Sequence, residues 1–255
     1  MTRKRRVAYT GSPIFEKHET FRFKCHAGLP CYNQCCRDIN IFLSPYDVLR
    51  MKNRLGITSG EFLDTYTSRV TTRSGLHLVR LNMREADLEC PFVTPEGCTI
   101  YSDRPWACRL APIDVNSQGD YHFIFPDSKC MGMKETTEWT VATWMEDQGL
   151  LFYEEVEAVF RGLPERIKFT GMPTLDRHIA EMYFMACYDV DRFRKFVFNS
   201  SFLKEYAVSP ELAERMRHDD VELMKYGFVW LADGVDPAKT IALRDEAFSS
   251  PGDES

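Results

Sequence analysis

Eight of the chain's nine cysteines lie between Cys25 and Cys130. They run Cys25-x5-Cys31-x3-Cys35-Cys36, then Cys90-x7-Cys98-x9-Cys108, then Cys130, and the rest of the chain holds only Cys187. Thiols gathered into short loops rich in proline, glycine and charge have a soft metal or a disulfide network to hold. Which of the two applies decides most of what else can be read.

With 255 residues the chain can bury a core without cross-links. No stretch approaches the roughly 18 apolar residues of a membrane span. The opening Thr2-Arg3-Lys4-Arg5-Arg6 leads into Val7-Ala8-Tyr9-Thr10-Gly11-Ser12-Pro13, which is no apolar signal core. The expectation is a cytoplasmic chain with no membrane partner. Structural disulfides are rare in a reducing cytosol, where cysteine clusters more often bind metal. The net charge of -6 argues against nucleic acid as a partner, and the basic run at the start reads as a solvated tail.

The chain is organised as an irregular lead-in over 1–20, a cysteine-cluster domain over 21–133, a helical region over 134–248 packed on it as one unit, and a disordered tail over 249–255. Gly28 and Pro30 keep the first cysteine group out of regular structure. Ser44 as N-cap, Pro45 in the first turn and Gly56 as stop predict a helix. Thr58-Ser59-Gly60-Glu61 is a capping box opening a second helix with Phe62, Leu63 and Tyr66 on its apolar side. The pair superficially resembles a DNA-binding helix-turn-helix. Its second helix has two acids and no base before Arg69, so it reads as an ordinary hairpin. Alternation predicts a strand from Leu76 to Arg84, and Tyr121 to Phe125 reads as another. Trp139 to Phe160, Leu175 to Phe198 and Pro210 to Leu231 read as helices, with breaks at Pro164, Gly171-Met172-Pro173 and Ser209-Pro210. Cys187 falls on the apolar stripe of the second of these, as a core residue. The fold class is therefore α+β: a small cysteine-rich lobe with short strands and a helical hairpin, beside a mainly helical region.

Thiolates suit zinc, copper(I) and iron–sulfur clusters, and loops can aim several of them at one point. Side chains of adjacent residues diverge in extended backbone, and a disulfide between neighbours is strained, so Cys35-Cys36 points to two destinations. Two four-cysteine sites, one larger cluster, or one site with reserve thiols all fit the spacing. That spacing is neither a zinc ribbon nor a ferredoxin pattern. His18, His26, His77 and His122 read as surface or supporting residues, His26 beside Cys25 being the one best placed to ligate.

Cys25…Cys31…Cys35-Cys36, then Ile41-Phe42-Leu43-Ser44-Pro45-Tyr46-Asp47-Val48, then Cys90-Pro91-Phe92…Gly97-Cys98-Thr99-Ile100-Tyr101…Arg104-Pro105…Cys108-Arg109 resemble the CxxCxxCC family of zinc- or iron-chelating, YkgJ-like cysteine cluster proteins. The likeness covers about Phe21 to Met133, and Gly97 to Arg109 is its most specific part. The first gaps here are five and three residues where the family name has two and two. The resemblance implies Cys25, Cys31, Cys35, Cys36, Cys90, Cys98 and Cys108 as metal ligands, with Cys130 as the late cysteine. The implied cofactor is an iron–sulfur cluster or zinc, with iron favoured. Flagellin lysine methylases look similar in cysteine pattern and are associated with an iron–sulfur cluster and methyl transfer, and some members are labelled Fe–S oxidoreductases.

Arg104 and Arg109 bracket Cys98 and Cys108 and are candidate cofactor-binding residues. Four thiolates on zinc leave a net charge of about -2, which guanidinium groups relieve. Pairing with surface carboxylates such as Asp103 is the other reading, and Trp106 fits a hydrophobic cover. The leading function is metal chelation by thiolates. The alternatives are a cluster-dependent enzyme and a structural zinc module presenting a surface to an unidentified protein partner. No Walker loop, dinucleotide fingerprint, Gly-x-Ser-x-Gly or His-Glu-x-x-His is present to name a reaction.

Overall fold

Phe15, Phe21, Phe23, Phe123, Trp139 and Trp144 are linked ring to ring, with centroids 5.2–6.3 Å apart. Each large ring buried this way contributes on the order of 2 kcal/mol, so this stack decides where the short strands around it must lie. The structure, a computed structural model, describes residues 14–116 and 118–249. The basic run, the lead-in up to residue 13 and the tail from residue 250 lie outside the described residues. The chain separates into two units, each drawn from two stretches of sequence: residues up to Ile41 with Met83–Tyr153, and Phe42–Asn82 with Glu154 onward.

The first unit holds the aromatic stack. Ile14–Phe15 pairs with Tyr121–Phe123, which pairs in turn with Ile113–Val115, and all three run antiparallel. Thr20–Arg22 pairs with Glu138–Thr140, setting Phe21 opposite Trp139. The stretch 1–20, read as an irregular lead-in, therefore contributes the strand Ile14–Phe15 and the first residue of Thr20–Arg22. Their partners lie about 100 residues on, where no local periodicity announces them. Two indole N–H groups fasten the stack to the backbone, Trp139 donating to Phe23 O at 2.9 Å and Trp144 to Leu110 O at 3.0 Å.

The second unit carries the helical hairpin. Pro45–Leu55 is capped by Ser44, whose hydroxyl accepts from Asp47 N–H, and is ended by Gly56 at φ +68°. Ser59–Tyr66 opens on the Thr58/Glu61 capping box. Phe42–Leu43, His77–Leu81 and Thr67–Thr71 form a three-stranded antiparallel sheet beside it. Val79 and Leu81 are the buried side chains of the central strand, while Leu78 stays half-buried. Lys52, 6 % exposed, holds Asp191 and Asp220 at 3.2 Å each, and Ser59 N–H donates to Asp191 at 2.7 Å, so the hairpin is tied to the C-terminal helices.

Three stretches expected to be single helices are each divided. Trp139 to Phe160 becomes the strand Glu138–Thr140 and the helices Val141–Asp147, Leu150–Val156 and Ala158–Arg166. Leu175 to Phe198 becomes Pro173–Tyr188 and Val190–Phe198, and Pro210 to Leu231 becomes Pro210–His218 and Asp220–Asp233. Asp189 and Asp219 cause the last two breaks. Each carboxylate accepts backbone N–H bonds from the helix that follows, so a new N-terminus starts where the apolar pattern runs on. Pro164, expected as a break, lies within Ala158–Arg166; that helix ends two residues later, so only its last turn loses a donor. Pro237–Phe248 adds a further helix. Cys187 is 2 % exposed in Pro173–Tyr188, and burial pushes its thiol well above the ordinary range. No helix of the described residues is long and apolar enough to cross a membrane.

Candidate metal centre

The eight cysteines of the array all fall in the first unit, and Cys187 in the second. None of the nine is in a disulfide. Cys25 and Cys35 are exposed, and the other six of the array are half-buried.

Backbone ties bring distant cysteine segments together. Phe23 N–H donates to Thr137 O at 2.9 Å and Lys24 N–H to Gly132 O at 3.0 Å, which sets Cys25 beside the loop after Cys130. A Cβ at residue 132 would stand 2.9 Å from both Lys24 O and the Phe23 ring, so only glycine admits this approach. Met131 N–H donates to Cys31 Sγ at 3.2 Å. On the other side, Cys90 N–H donates to Cys36 O and Asp38 N–H to Leu88 O, both at 2.8 Å. Asn33 Nδ2 donates to Thr94 O at 3.0 Å and Tyr32 Oη to Glu96 O at 3.3 Å. Val93–Thr94 and Gly97–Cys98 form a tight antiparallel hairpin that carries Cys98 back toward Cys90. Gly97 has φ +131°, and a Cβ there would meet Tyr32 Oη at 2.6 Å.

Backbone N–H groups are turned onto several of the sulfurs. Phe92 N–H favours thiolate at Cys90 and Ile100 N–H at Cys98, in each case two residues on. The backbone N–H groups of Met133 and Gly132 favour thiolate at Cys130, and Cys31 accepts the Met131 N–H bond. Such donors stabilise thiolate over thiol and tune a metal bound to it. Burial works the other way. Loss of water around its sulfur, in a residue otherwise exposed, pushes Cys25 up to about 11, helped by the charges of Cys35, Cys130 and Cys31, and burial pushes Cys90 up to about 11, helped by Cys98. Burial also raises Cys98 and Cys130, the latter with help from Cys31. Cys35 is raised first by its hydrogen bond with Cys36, the two Sγ atoms lying 4.0 Å apart. Thiols lifted by burial and mutual repulsion are those a cation relieves, since the metal binds the deprotonated form.

The two arginines differ. Arg109, 6 % exposed, donates to the carbonyls of Arg104 at 2.9 Å, Gln148 at 2.7 Å and Ser102, and lies 5.4 Å over the Tyr153 ring. It fastens the backbone on either side of Cys108. Arg104 donates to Tyr101 O at 2.7 Å and to the Gln148 side chain, and stacks 3.8 Å over Tyr101. Burial lowers its affinity for its proton, while the charges of Cys108 and Cys98 favour the guanidinium. Trp106 begins the short helix Trp106–Leu110 that carries Cys108, and is half-buried. His26 accepts from Gly28 N–H at Nδ1 and faces Glu135 through Nε2 at 3.8 Å.

Backbone bonds thus join the Cys25 and Cys31 segment to that of Cys130, and the Cys36 segment to that of Cys90, yet among the described residues no three His, Cys, Asp or Glu side chains stand together as a formed metal site. The donor set suits a soft ion: every sulfur is uncommitted to a disulfide, and Cys31 already accepts a backbone N–H bond. Tyr32, Asn33 and Gly132 were not singled out from sequence. Gly132 carried the one usable signal, a glycine two residues after a cysteine, where a bare backbone lets Lys24 O and the Phe23 ring approach.

No curated protein and no solved structure matches the chain. Residues 24–137, which contain all eight thiols of the array, match the model of the CxxCxxCC family, described as "Putative zinc- or iron-chelating domain".

Proposed function

We propose that this protein chelates iron, as an iron–sulfur cluster, or zinc, through cysteine thiolates of its first unit. The observation that carries this reading is the return of the loop after Cys130 onto the first cysteine group, where Met131 N–H donates to Cys31 Sγ at 3.2 Å and Lys24 N–H to Gly132 O at 3.0 Å. Hydrogen bonds to sulfur are among the main means by which a protein tunes a thiolate-bound metal. Cys25, Cys31, Cys35, Cys36, Cys90, Cys98, Cys108 and Cys130 would hold the metal, and Arg104 would offset its negative charge.

The absorption spectrum of anaerobically purified protein, with iron, zinc and sulfide analysis, tests the reading. A broad band near 400 nm with iron and sulfide supports the cluster form. A colourless protein with tight zinc supports the zinc form. Cys108→Ser retaining the parent's full metal content would remove Cys108 from the ligand set.

A second reading, an enzyme that uses the metal, has one observation in its favour. A cavity of about 550 Å³ lies beside the first cysteine loop, lined by Tyr32, Asn33, Gln34, Arg37, Arg84 and Glu89 among others. An enzyme using a metal needs a pocket of this kind next to it. Small molecules that shift the metal's spectrum in the parent, and fail to do so in Arg37→Ala, would favour it.

A further inference from the structure

We propose that the cavity beside the first cysteine loop binds a small organic carboxylate with an apolar body, and that Arg37 is its anchor. The proposal rests on the cavity of the second reading above and adds the class of its ligand. It requires no role for the metal.

At about 550 Å³ the cavity has the size that small molecules occupy. Its wall is drawn from segments of the first unit around Asn33, Glu89 and Thr94. Among the described residues no cysteine lines it, so a ligand here leaves the thiols free for metal. Bonds across the segments hold the wall in place. Asn33 Nδ2 donates to Thr94 O at 3.0 Å, Asp38 N–H to Leu88 O at 2.8 Å and Arg84 N–H to Glu89 O at 2.8 Å. Asn33, Asp38 and Leu88 have φ of +63°, +50° and +61°, and Ala207 is the one other non-glycine residue with positive φ among the described residues. Such backbone costs energy, most plainly at a leucine, and collects where ligands are held.

The charged groups on the wall are Arg37, Arg84 and Glu89. Arg84 is engaged within its own loop, donating to Asp87 at 3.2 Å and to Glu89. Arg37 is positioned and still open. Its Nε donates to Asp87 O at 3.0 Å, which fixes the guanidinium plane, while Glu89 Oε1 lies 3.6 Å from Nη2, too far for a hydrogen bond. The Nη edge is therefore free to take the two oxygens of a carboxylate. Glu89 and Asp87 offset much of the positive charge nearby, so the site suits a single negative charge and disfavours a phosphate dianion. Tyr32, Val93 and Pro95 supply apolar surface for the rest of the ligand.

Isothermal titration calorimetry of the protein as purified tests the proposal, with benzoate, phenylacetate and isovalerate as probes and inorganic phosphate for comparison. At least one carboxylate should bind with Kd on the order of 1 mM, the strength open to so small a molecule, and more tightly than phosphate. Arg37→Gln, in preparations whose circular dichroism matches the parent, should weaken this binding about tenfold. Arg22→Gln should not, since Arg22 is an exposed arginine paired with Glu138 and is not on the wall. In the parent, the tightest of the three carboxylates should slow labelling of Arg37 by phenylglyoxal, read by peptide mass spectrometry, and leave Arg22 labelling unchanged. Binding that leaves the metal's spectrum unshifted supports the proposal while counting against the enzyme reading. No binding by any of the three carboxylates, phosphate binding as tightly as they do, or equal labelling of Arg37 with and without carboxylate overturns the proposal and leaves chelation standing.

Discussion

Met131 N–H donates to Cys31 Sγ at 3.2 Å although the two residues are 100 positions apart. Neither partner is in a regular strand, so the bond exists only because the strands to either side are fixed. The Phe21–Trp139 pairing, with the Phe23–Thr137 and Lys24–Gly132 bonds that continue it, delivers both loops to the same place. The aromatic stack is thus the scaffold for the loops of Cys25, Cys31 and Cys130.

Gly132→Ala introduces a Cβ 2.9 Å from Lys24 O and from the Phe23 ring. Overpacking of this kind costs about 1–3 kcal/mol. The variant is expected to unfold at lower urea concentration than the parent and to retain less metal, because Cys25 is pushed from Cys130. Unchanged stability and metal content would show that this approach is not needed.

Arg109 serves three backbone carbonyls from a buried position. Arg109→Ala is expected to lose about 3 kcal/mol in urea unfolding, from the charged hydrogen bonds removed and the carbonyls left bare. Arg109→Lys should recover only a small part, since a single ammonium cannot reproduce the planar fork. Full rescue by lysine would mean that charge, and not geometry, is what the site requires.

Arg104 bears on Cys98 and Cys108 through its charge. Arg104→Gln should weaken metal retention about tenfold in a chelator competition, the scale seen when residues supporting metal ligands are replaced. Its effect should shrink in Cys98→Ser, where one of the thiolates it serves is gone. Equal effects in the two backgrounds would separate Arg104 from this thiol.

In the second unit, Glu157 is 9 % exposed and accepts from Tyr46 N–H at 3.1 Å. Burial, and then the nearby Asp47 carboxylate, push it up to about 7 from the ordinary 4.5. The folded chain therefore holds this proton more tightly than the unfolded chain. The resulting stability is complete below pH 4.5 and is lost as the pH rises toward 7, by up to about 3 kcal/mol. Glu157→Gln should match the parent at the acidic end and exceed it by about 2 kcal/mol near pH 8. Parallel stability profiles across this range would contradict the assignment.

Capping chemistry made the hairpin legible in the sequence: Ser44, Pro45 and Gly56 in the first helix and Thr58 with Glu61 in the second are local signals, and each acts as read. Trp139 was read as helical because its apolar neighbours continue to Phe160. A pairing with Phe21 more than 100 residues away outweighs that pattern. Asp189 and Asp219 look like ordinary surface acids until their side chains are seen capping new helices. The cysteine array was visible as a set of thiols. Which thiols are neighbours was not, because that depends on the Lys24–Gly132 and Cys36–Cys90 bonds, which join segments about 50 to 110 residues apart.

The central claim is tested most directly by the metal content of the parent chain. Iron, zinc and acid-labile sulfide should be measured per chain in protein purified without oxygen or added chelator. The account predicts bound iron with sulfide, or bound zinc, in stoichiometric amount. Protein that is folded, carries neither metal and leaves all eight thiols of the array open to alkylation would contradict it.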